Sequence, residues 1–497
     1  MAHVHQTRVA IIGTGLAGLT TAHLLNKDAQ GRYRVTLFEQ ADSLSFDSAS
    51  AAVKDEKTGV VERVDLPMRA CAGGYYHNLL GLYDHLGIPL HPVRFLFVFA
   101  KALQASSLRY CEAMKAEDAG SAPGTYFVHA SNLHQTPPPW PANRGTLLYI
   151  IEVLYLVFCQ FWFTAACFLV SPKMMVKTAS CETSMLMGET LAEYLQRIWL
   201  PRRYVTHYLL PLMSSVSTCS HDELMTFPAS DVINYKRLSH GQQHYTVCGG
   251  VRQVQSKLAD GIQDVRLESR VTSVEVDSGG LIVHWQSTSS STTKHSTRRE
   301  HFDRVVLAVS PDVAGRIFQP LLSALHRLPT RRVESSVLSA EPGAWSIATG
   351  DAASAGCSHH RGTAWPAQVI TFRTQFGGAC PRTQALHAMP GGVLVSTSPL
   401  DSELDSKAAL RTATFTRTLR TPESRAILQS IMGSHEREPM SRGPKVSNGA
   451  VDWVNGEDNV WLAGAWCWDG MVLLEGCVVS AMRVSRDFGV RIPWEDV

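Results

Sequence analysis

Apolar positions along this chain change their period where the elements change. Arg8-Val9-Ala10-Ile11-Ile12 is a short, continuous, β-branched run, as expected of a strand buried on both faces. It ends in Gly13-Thr14-Gly15-Leu16-Ala17-Gly18, after which Leu19, Ala22, Leu24 and Leu25 recur at helical spacing. A polar turn leads into Arg34-Val35-Thr36-Leu37-Phe38, a second strand closed by Glu39.

The pattern is helical from Glu182 to Arg237 and turns to strands at Gln243 to Val247. Val251 to Val254 starts a helix. Strands follow at Val265 to Leu267, Val271 to Val276, Leu281 to Trp285 and Asp303 to Val309. The Ser/Thr-rich stretch from Ser287 to Arg299 predicts a solvated hairpin tip. Near the end, Asn459 to Ala463 reads as a strand stopped by Gly464. Glu475-Gly476 then opens a final helix.

Leu147 to Val170 has a different pattern, apolar almost throughout, with Glu152, Gln160 and Thr164 as its main polar interruptions. It is long enough to cross a bilayer, which takes about 20 residues. The three polar positions fall on one arc of a helix, however, and Glu152 would be costly in lipid. Lipid contact on one side and plain internal core both fit better than a span. The segment is expected in the substrate domain, meeting lipid without crossing, with Leu156 and Phe163 as positions on the lipid side. A single crossing would separate the strands before it from those after it, and no second long apolar segment returns the chain.

Composition narrows the class. At 497 residues two domains are the default, and 45% hydrophobic with 18% charged residues describes an ordinary globular protein. Forty-six basic against forty-four acidic residues leave a net charge of +2, and no basic run is interleaved with aromatics, so nucleic acid is not indicated as a partner. Eleven cysteines scattered without a CxxC pair read as reduced thiols on the cytosolic side. Cys357-Ser358-His359-His360 has no second ligand pair and reads as loop, so no metal is expected.

Candidate chemistry begins at the first loop. Strand, GxGxxG, helix, strand and an acid about twenty residues on is the order a dinucleotide needs. Gly13 permits the tight turn, Gly15 lets backbone approach a pyrophosphate, and Gly18 lets the helix pack on the strand. The helix N-terminus offers free N–H groups to phosphate. Glu39 can accept hydrogen bonds from ribose and would repel a 2′-phosphate, which disfavours NADP. The fingerprint alone does not separate FAD from NAD.

The order of motifs resembles the FAD-binding amine oxidase and phytoene desaturase superfamily over nearly the whole chain. Its nearest flavour is the flavoproteins associated with cyclopropane fatty acid synthases, together with related fungal enzymes. The matching stretches are Gly13 to Glu39, Val64 to Arg69 before Tyr75-Tyr76, His207 to Pro211, Phe227 to Ala229, Val247 to Gly250, Val271 to Val274, Val305 to Ala308 and Trp461 to Gly464. The resemblance implies an α/β chain with a discontinuous Rossmann-type FAD-binding domain (1–70, 245–315 and 450–497) and an α+β substrate domain (71–244 and 316–449). It implies FAD held by Gly13, Gly15, Leu16, Ala17 and Gly18 at the pyrophosphate, Glu39 at the ribose, and Val271 through its backbone beside the adenine. Arg69, Gly464, Gly470 and Glu475 would lie near the flavin and ribityl chain.

Departures from the family pattern bear on the chemistry. An Arg-x-Gly-Gly pair is missing from Ala41 to Asp47, and Gly464-Ala465 stands where many members have Gly-Asp. No lysine lies between Pro311 and Ser346, where monoamine-type oxidases place one, and the covalent Cys-Tyr attachment motif is absent, which implies a noncovalent flavin. Amine oxidation is therefore not the expected reaction. An FAD-dependent oxidoreductase acting on an apolar, lipid-like or secondary-metabolite substrate is expected, with flavin-dependent double-bond isomerisation as the alternative. Spacing assigns no catalytic residue; the candidates are Tyr76, His240, His244 and Asp469, with Tyr75 and His77 beside them and Trp466 and Trp468 as pocket walls. The expected location is the cytoplasmic side, peripheral to a membrane.

Overall fold

The computed structural model describes residues 6–54, 59, 61–102, 124–130, 145–173, 188–288, 297–338, 368–377, 380–389, 393–400, 409–433 and 453–495. Cys357, His359 and His360 lie outside the described residues.

The first apolar runs form a five-stranded parallel sheet from β1 (Thr7–Ile12), β2 (Tyr33–Phe38), β3 (Asp264–Arg266), β4 (Arg304–Leu307) and β5 (Val460–Leu462). Their order is β3-β2-β1-β4-β5. Val9 pairs with Arg304 on one side and Val35 on the other, so the chain reverses its direction of strand addition at β1. Such a switch point leaves a crevice outside the carboxyl ends of the strands.

Both faces of this sheet are covered, which explains its continuous apolar runs. Val9, Ile11, Val35 and Leu37 pack with helices α1 (Leu16–Asn26), α2 (His77–His85) and α5 (Leu474–Asp487). Ala10, Ile12, Phe38 and Leu307 pack with an antiparallel meander of Ser269–Asp277, Gly280–Ser287 and Arg298–Phe302. The helix Pro422–Met432 joins this second core through Ile427, Leu428 and Ile431.

A second, seven-stranded sheet runs Ala409–Thr418, Thr330–Leu338, Leu394–Thr397, Arg382–Ala388, Gln368–Gln375, Phe95–Lys101 and Thr125–Ala130. Only Gln368–Gln375 and Phe95–Lys101 pair in parallel. The hairpin of Ala51–Lys54 and Val61–Val64 packs on one face, with Ala51, Val64 and Leu66 against Val337, Val393 and Val395. The same face also carries a helical layer that includes α3 (Thr146–Leu169) and α4 (Ala229–Ser239), since Val337, Val395, His387, Ile370 and Phe97 share one side by register. A small sheet links the halves: Cys71–Ala72 and Leu90–Val93 both pair with His244–Val247.

Helix α3 buries one stripe, Tyr149, Glu152, Leu156, Cys159, Phe163, Ala166 and Cys167. Leu156 and Phe163, expected on the lipid side, are thus in the core. Their register follows the polar anchors. Glu152 is bonded by Arg203 at 2.5 Å and by the Tyr208 hydroxyl, and the Tyr204 hydroxyl donates to Gln160. The Tyr194 hydroxyl donates to the carbonyls of Ala166 and Val170, which satisfies the helix end.

Candidate cofactor site

The carboxyl ends of β1, β4 and β5 converge. The Ala308 N–H donates to the Ile12 carbonyl at 2.8 Å, and the Ala463 N–H to Leu307 at 3.1 Å. Between them the first loop is tight. A Cβ on Gly13 would lie 2.5 Å from the Ala308 oxygen, at a φ of 102° that side chains avoid. A Cβ on Gly18 would lie 2.0 Å from the Gly13 oxygen. Gly15 differs: a Cβ there meets nothing within 4 Å. Helix α1 begins beside that open space with no side-chain cap and no acid in its first turn. Leu16 and Ala17 are buried, so that turn presents backbone to an anion.

Glu39 is buried at the end of β2 and turns back to this loop. It accepts from the Thr14 hydroxyl at 2.5 Å, the Thr14 N–H at 3.3 Å and the Ala41 N–H at 3.1 Å. An ionised carboxylate accepts about four hydrogen bonds, so capacity remains for a ribose hydroxyl. The Ser269 N–H donates to the Glu39 carbonyl at 2.7 Å and so brings the start of the meander strand beside the acid; Val271, two residues on, buries its side chain.

Arg69 completes this end. Its guanidinium lies 4.3 Å over the Phe46 ring and donates from Nη2 to the Phe46 carbonyl at 2.7 Å, while buried Nη1 has no partner. Burial lowers its pKa, yet arginine stays charged. Phe46 belongs to the segment that lacks the family's glycine pair. Open space over Gly15, an uncapped helix and a buried, unspent N–H together fit a dinucleotide carrying a pyrophosphate.

The C-terminal candidates are placed otherwise. Gly464 spends its N–H on the Ser480 hydroxyl at 2.9 Å, and its carbonyl accepts from Ser480 and Cys467. The Glu475 side chain is engaged with α2. Its buried carboxylate accepts from the Asn78 N–H at 2.9 Å, the Asn78 side chain at 2.7 Å and the Leu79 N–H at 3.0 Å, and so caps α2. Gly470 and Gly476 exist for Trp468: a Cβ on either would approach its indole to 2.6 Å or 2.3 Å. Trp466 is packed core, its N–H donated to Val309.

Trp468, Tyr75, Tyr76 and Tyr235 form an aromatic cluster where the two halves meet. Tyr75 lies 4.8 Å from Tyr235, 5.2 Å from Tyr76 and 5.8 Å from Trp468 by ring centroids. Beyond it the sheet presents Phe95, Phe97 and Phe372, with His244 edge-on to Phe95 and His129 stacked on Phe97. Tyr235, Lys236, His244 and Arg417 are half-buried around these aromatics.

The four catalytic candidates separate in space. Burial drives the Tyr76 hydroxyl far above its ordinary pKa, so it is no base near neutrality. His240 is exposed at the end of α4 against Phe168, and His77 is exposed too. Asp469 is exposed and paired at 2.6 Å with Arg425, which also holds Asp231. His244 alone of the four packs edge-on against Phe95 of the sheet, and burial lowers its pKa.

Sequence reasoning missed Lys236. It follows Tyr235 on α4, in electrostatic reach of His129 and Cys167, and burial lowers its pKa. No acid pairs with it among the described residues. The signal was present: Lys236 follows buried Val232 and Ile233 by four and three positions, on the inward face of that helix. Among the described residues no group of three or more His, Cys, Asp or Glu is gathered as a metal would need.

Comparison with known proteins follows this division. Residues 11–86 match an NAD(P)-binding Rossmann-like domain, and residues 232–488 match the flavin containing amine oxidoreductase family. No curated protein matches by sequence. Among solved structures, a CLA-producing fatty acid isomerase from P. acnes superposes with a TM-score of 0.54 at 11% identity, covering 97% of this chain and 99% of its own. Cyclohexylamine oxidase from Brevibacterium oxydans IH-35A gives 0.52 at 13%, covering 97% and 100%. An oxidoreductase from Methanosarcina mazei gives 0.53 at 11%, covering 96% and 100%. At these identities the likeness is one of fold.

Proposed function

Because the chain belongs to the flavin containing amine oxidoreductase family and is an FAD-dependent oxidoreductase, we propose an apolar, lipid-like or secondary-metabolite substrate for it rather than a protonated amine. Lys236 is the observation that supports this reading. Asp231 and Asp469 are ion-paired with Arg425, with one buried oxygen of Asp231 left without a hydrogen bond, and Glu475 is bonded to α2. A cationic substrate would face Lys236 and Arg417. Two like charges about 5 Å apart repel by roughly 3 kcal/mol at an effective dielectric of about 20. A neutral or anionic apolar molecule avoids that penalty and gains contact with Phe95, Phe97 and Tyr235.

The cofactor would be held by backbone at Gly13, Gly15, Leu16, Ala17 and Gly18, by Glu39 at a ribose, and by the unspent N–H of Arg69. When bound, FAD supplies the hydride acceptor. The chain's own residues do the rest. The aromatic cluster around Tyr75 excludes water. Lys236 orients a polar or acidic end of the substrate, and neutral His244 is the group able to take up a proton.

Anaerobic mixing of the yellow protein with oleate, oleyl alcohol and oleylamine tests this reading. Bleaching of the flavin by the acid or alcohol, with the amine inert, is the expected result. Product formed without bleaching or oxygen uptake assigns double-bond isomerisation instead. Bleaching by the amine alone overturns the proposal.

A further inference from the structure

We infer that the outward face of α3 docks on an anionic lipid surface, lying along it without crossing. Eleven of the eighteen large exposed hydrophobic residues among those described sit on this one helix. They include Leu148, Ile151, Leu154, Phe158, Phe161 and Trp162, with Phe161 71% exposed. Soluble surfaces carry such residues singly; a continuous apolar face marks an interaction site. Twenty-four residues at about 1.5 Å each give it a length of roughly 36 Å.

The margins of the face say what covers it. Trp199 is 84% exposed and held at a φ of 59°, which bulky residues rarely adopt. It is fixed beside α3, because the Trp162 indole N–H donates to the carbonyl of Ile198 at 2.8 Å. Arg203 sets its guanidinium over Tyr155 and Arg237 over Phe168, both aromatics of this helix. Arg202 and Lys173 are exposed nearby in the chain. The one acid of α3, Glu152, is turned inward and bonded by Arg203 and Tyr208. An apolar centre, indole rings at the edge, cationic margins and no outward acid on the helix match a bilayer interface with anionic headgroups.

A second copy of this chain fits less well. A two-fold contact places the same patch against itself, so an antiparallel meeting would set Arg203 near Arg237, positive against positive. A span is also disfavoured. The opposite stripe of α3 is bonded to the protein through Glu152, Gln160 and the Tyr194 hydroxyl. In addition, β1 and β2 precede the helix while β3, β4 and β5 follow it in one sheet. This inference does not depend on the substrate reading.

Flotation of the full-length yellow protein with phosphatidylcholine vesicles, with and without phosphatidylserine, tests it. Binding to the serine-containing vesicles is expected, falling severalfold without the anionic lipid or in high salt. The triple change Leu154→Ser, Phe158→Ser and Phe161→Ser should cut binding at least tenfold with flavin absorbance and melting unchanged, since these side chains point outward. Arg202→Glu with Lys173→Glu should weaken only the anionic-lipid component. Absence of wild-type binding to both vesicles overturns the inference, as does undiminished binding by the triple variant. A dimer in vesicle-free light scattering that the triple variant abolishes assigns the face to a second copy. Proteolytic protection of one end of α3 inside vesicles assigns a span.

Discussion

The carboxylate of Glu475, in the first turn of the last helix, holds both the backbone N–H and the side-chain amide of Asn78 at the start of α2. The carboxylate of this residue, expected near the cofactor, fastens two helices that pack on the same sheet face. In Glu475→Gln the amide turns a donor toward one of these N–H groups and leaves it unpaired, at a cost of about 1–3 kcal/mol. The denaturation midpoint should fall while the folded fraction still binds one FAD per chain. Loss of FAD without loss of stability would return Glu475 to the cofactor site.

Gly15 and Gly18 should behave differently. Gly18→Ala drives a methyl to 2.0 Å from the Gly13 oxygen, so folding and FAD retention should fail together. Gly15→Ala meets no protein atom within 4 Å, so the protein should fold at near wild-type stability and lose FAD. Circular dichroism beside bound-flavin absorbance separates the two outcomes.

Glu39→Ala should weaken FAD binding about ten- to a hundredfold, the loss expected of a charge-assisted hydrogen bond worth roughly 1.5–3 kcal/mol. Quenching of flavin fluorescence on titrating apoprotein gives the dissociation constant. An unchanged constant would move the ribose away from β2.

Stability should depend on pH through three buried histidines. Burial lowers His23, His221 and His387 from 6.5 to about 4 each. A folded pKa below the unfolded one means the unfolded chain binds protons first as pH falls. Their contribution is therefore fully present above about 6.5 and is lost as pH falls toward about 4. Melting temperature should be flat from pH 8 to about 6.5 and then decline, and His23→Gln should reduce that slope by about one proton.

Lys236→Met should reduce oleate affinity at least tenfold at neutral pH, read as the probe-induced shift of the flavin band, while leaving oleyl alcohol nearly unaffected. Burial lowers the Lys236 pKa, so wild-type affinity for oleate should fade with rising pH below the ordinary lysine value of 10.5. Equal loss for acid and alcohol would make Lys236 a structural residue.

What the sequence made legible was local. The run Arg8 to Ile12, the glycine loop and Glu39 lie within one βαβ unit, and burial on both faces leaves continuous apolar strands that need no partner to be read. The seven-stranded sheet escaped because its strands are dispersed, from Phe95 to Thr418, and one of them, Leu394–Thr397, is only four residues long. The orientation of α3 escaped for another reason. A helix apolar all round has little periodicity, and the positions of Leu156 and Phe163 were decided by hydroxyls of Tyr204 and Tyr208 some fifty residues away. Glu475 met its partner 397 positions upstream, beyond any local pattern. Lys236 is legible in the spacing of α4 as a charge on its inward face.

The parallel sheet also sets a timetable for biosynthesis. During translation β1 and β2 emerge early, yet Arg8 bonds to Asp303 across 295 positions, and β5 arrives only after residue 459. The ribosome must therefore deliver most of the polypeptide before the first strand gains its second neighbour. Contacts of such high order form slowly and leave apolar edges open to aggregation meanwhile. Premature chain termination before β5 should thus yield a species captured by chaperones and proteases rather than a smaller flavoprotein.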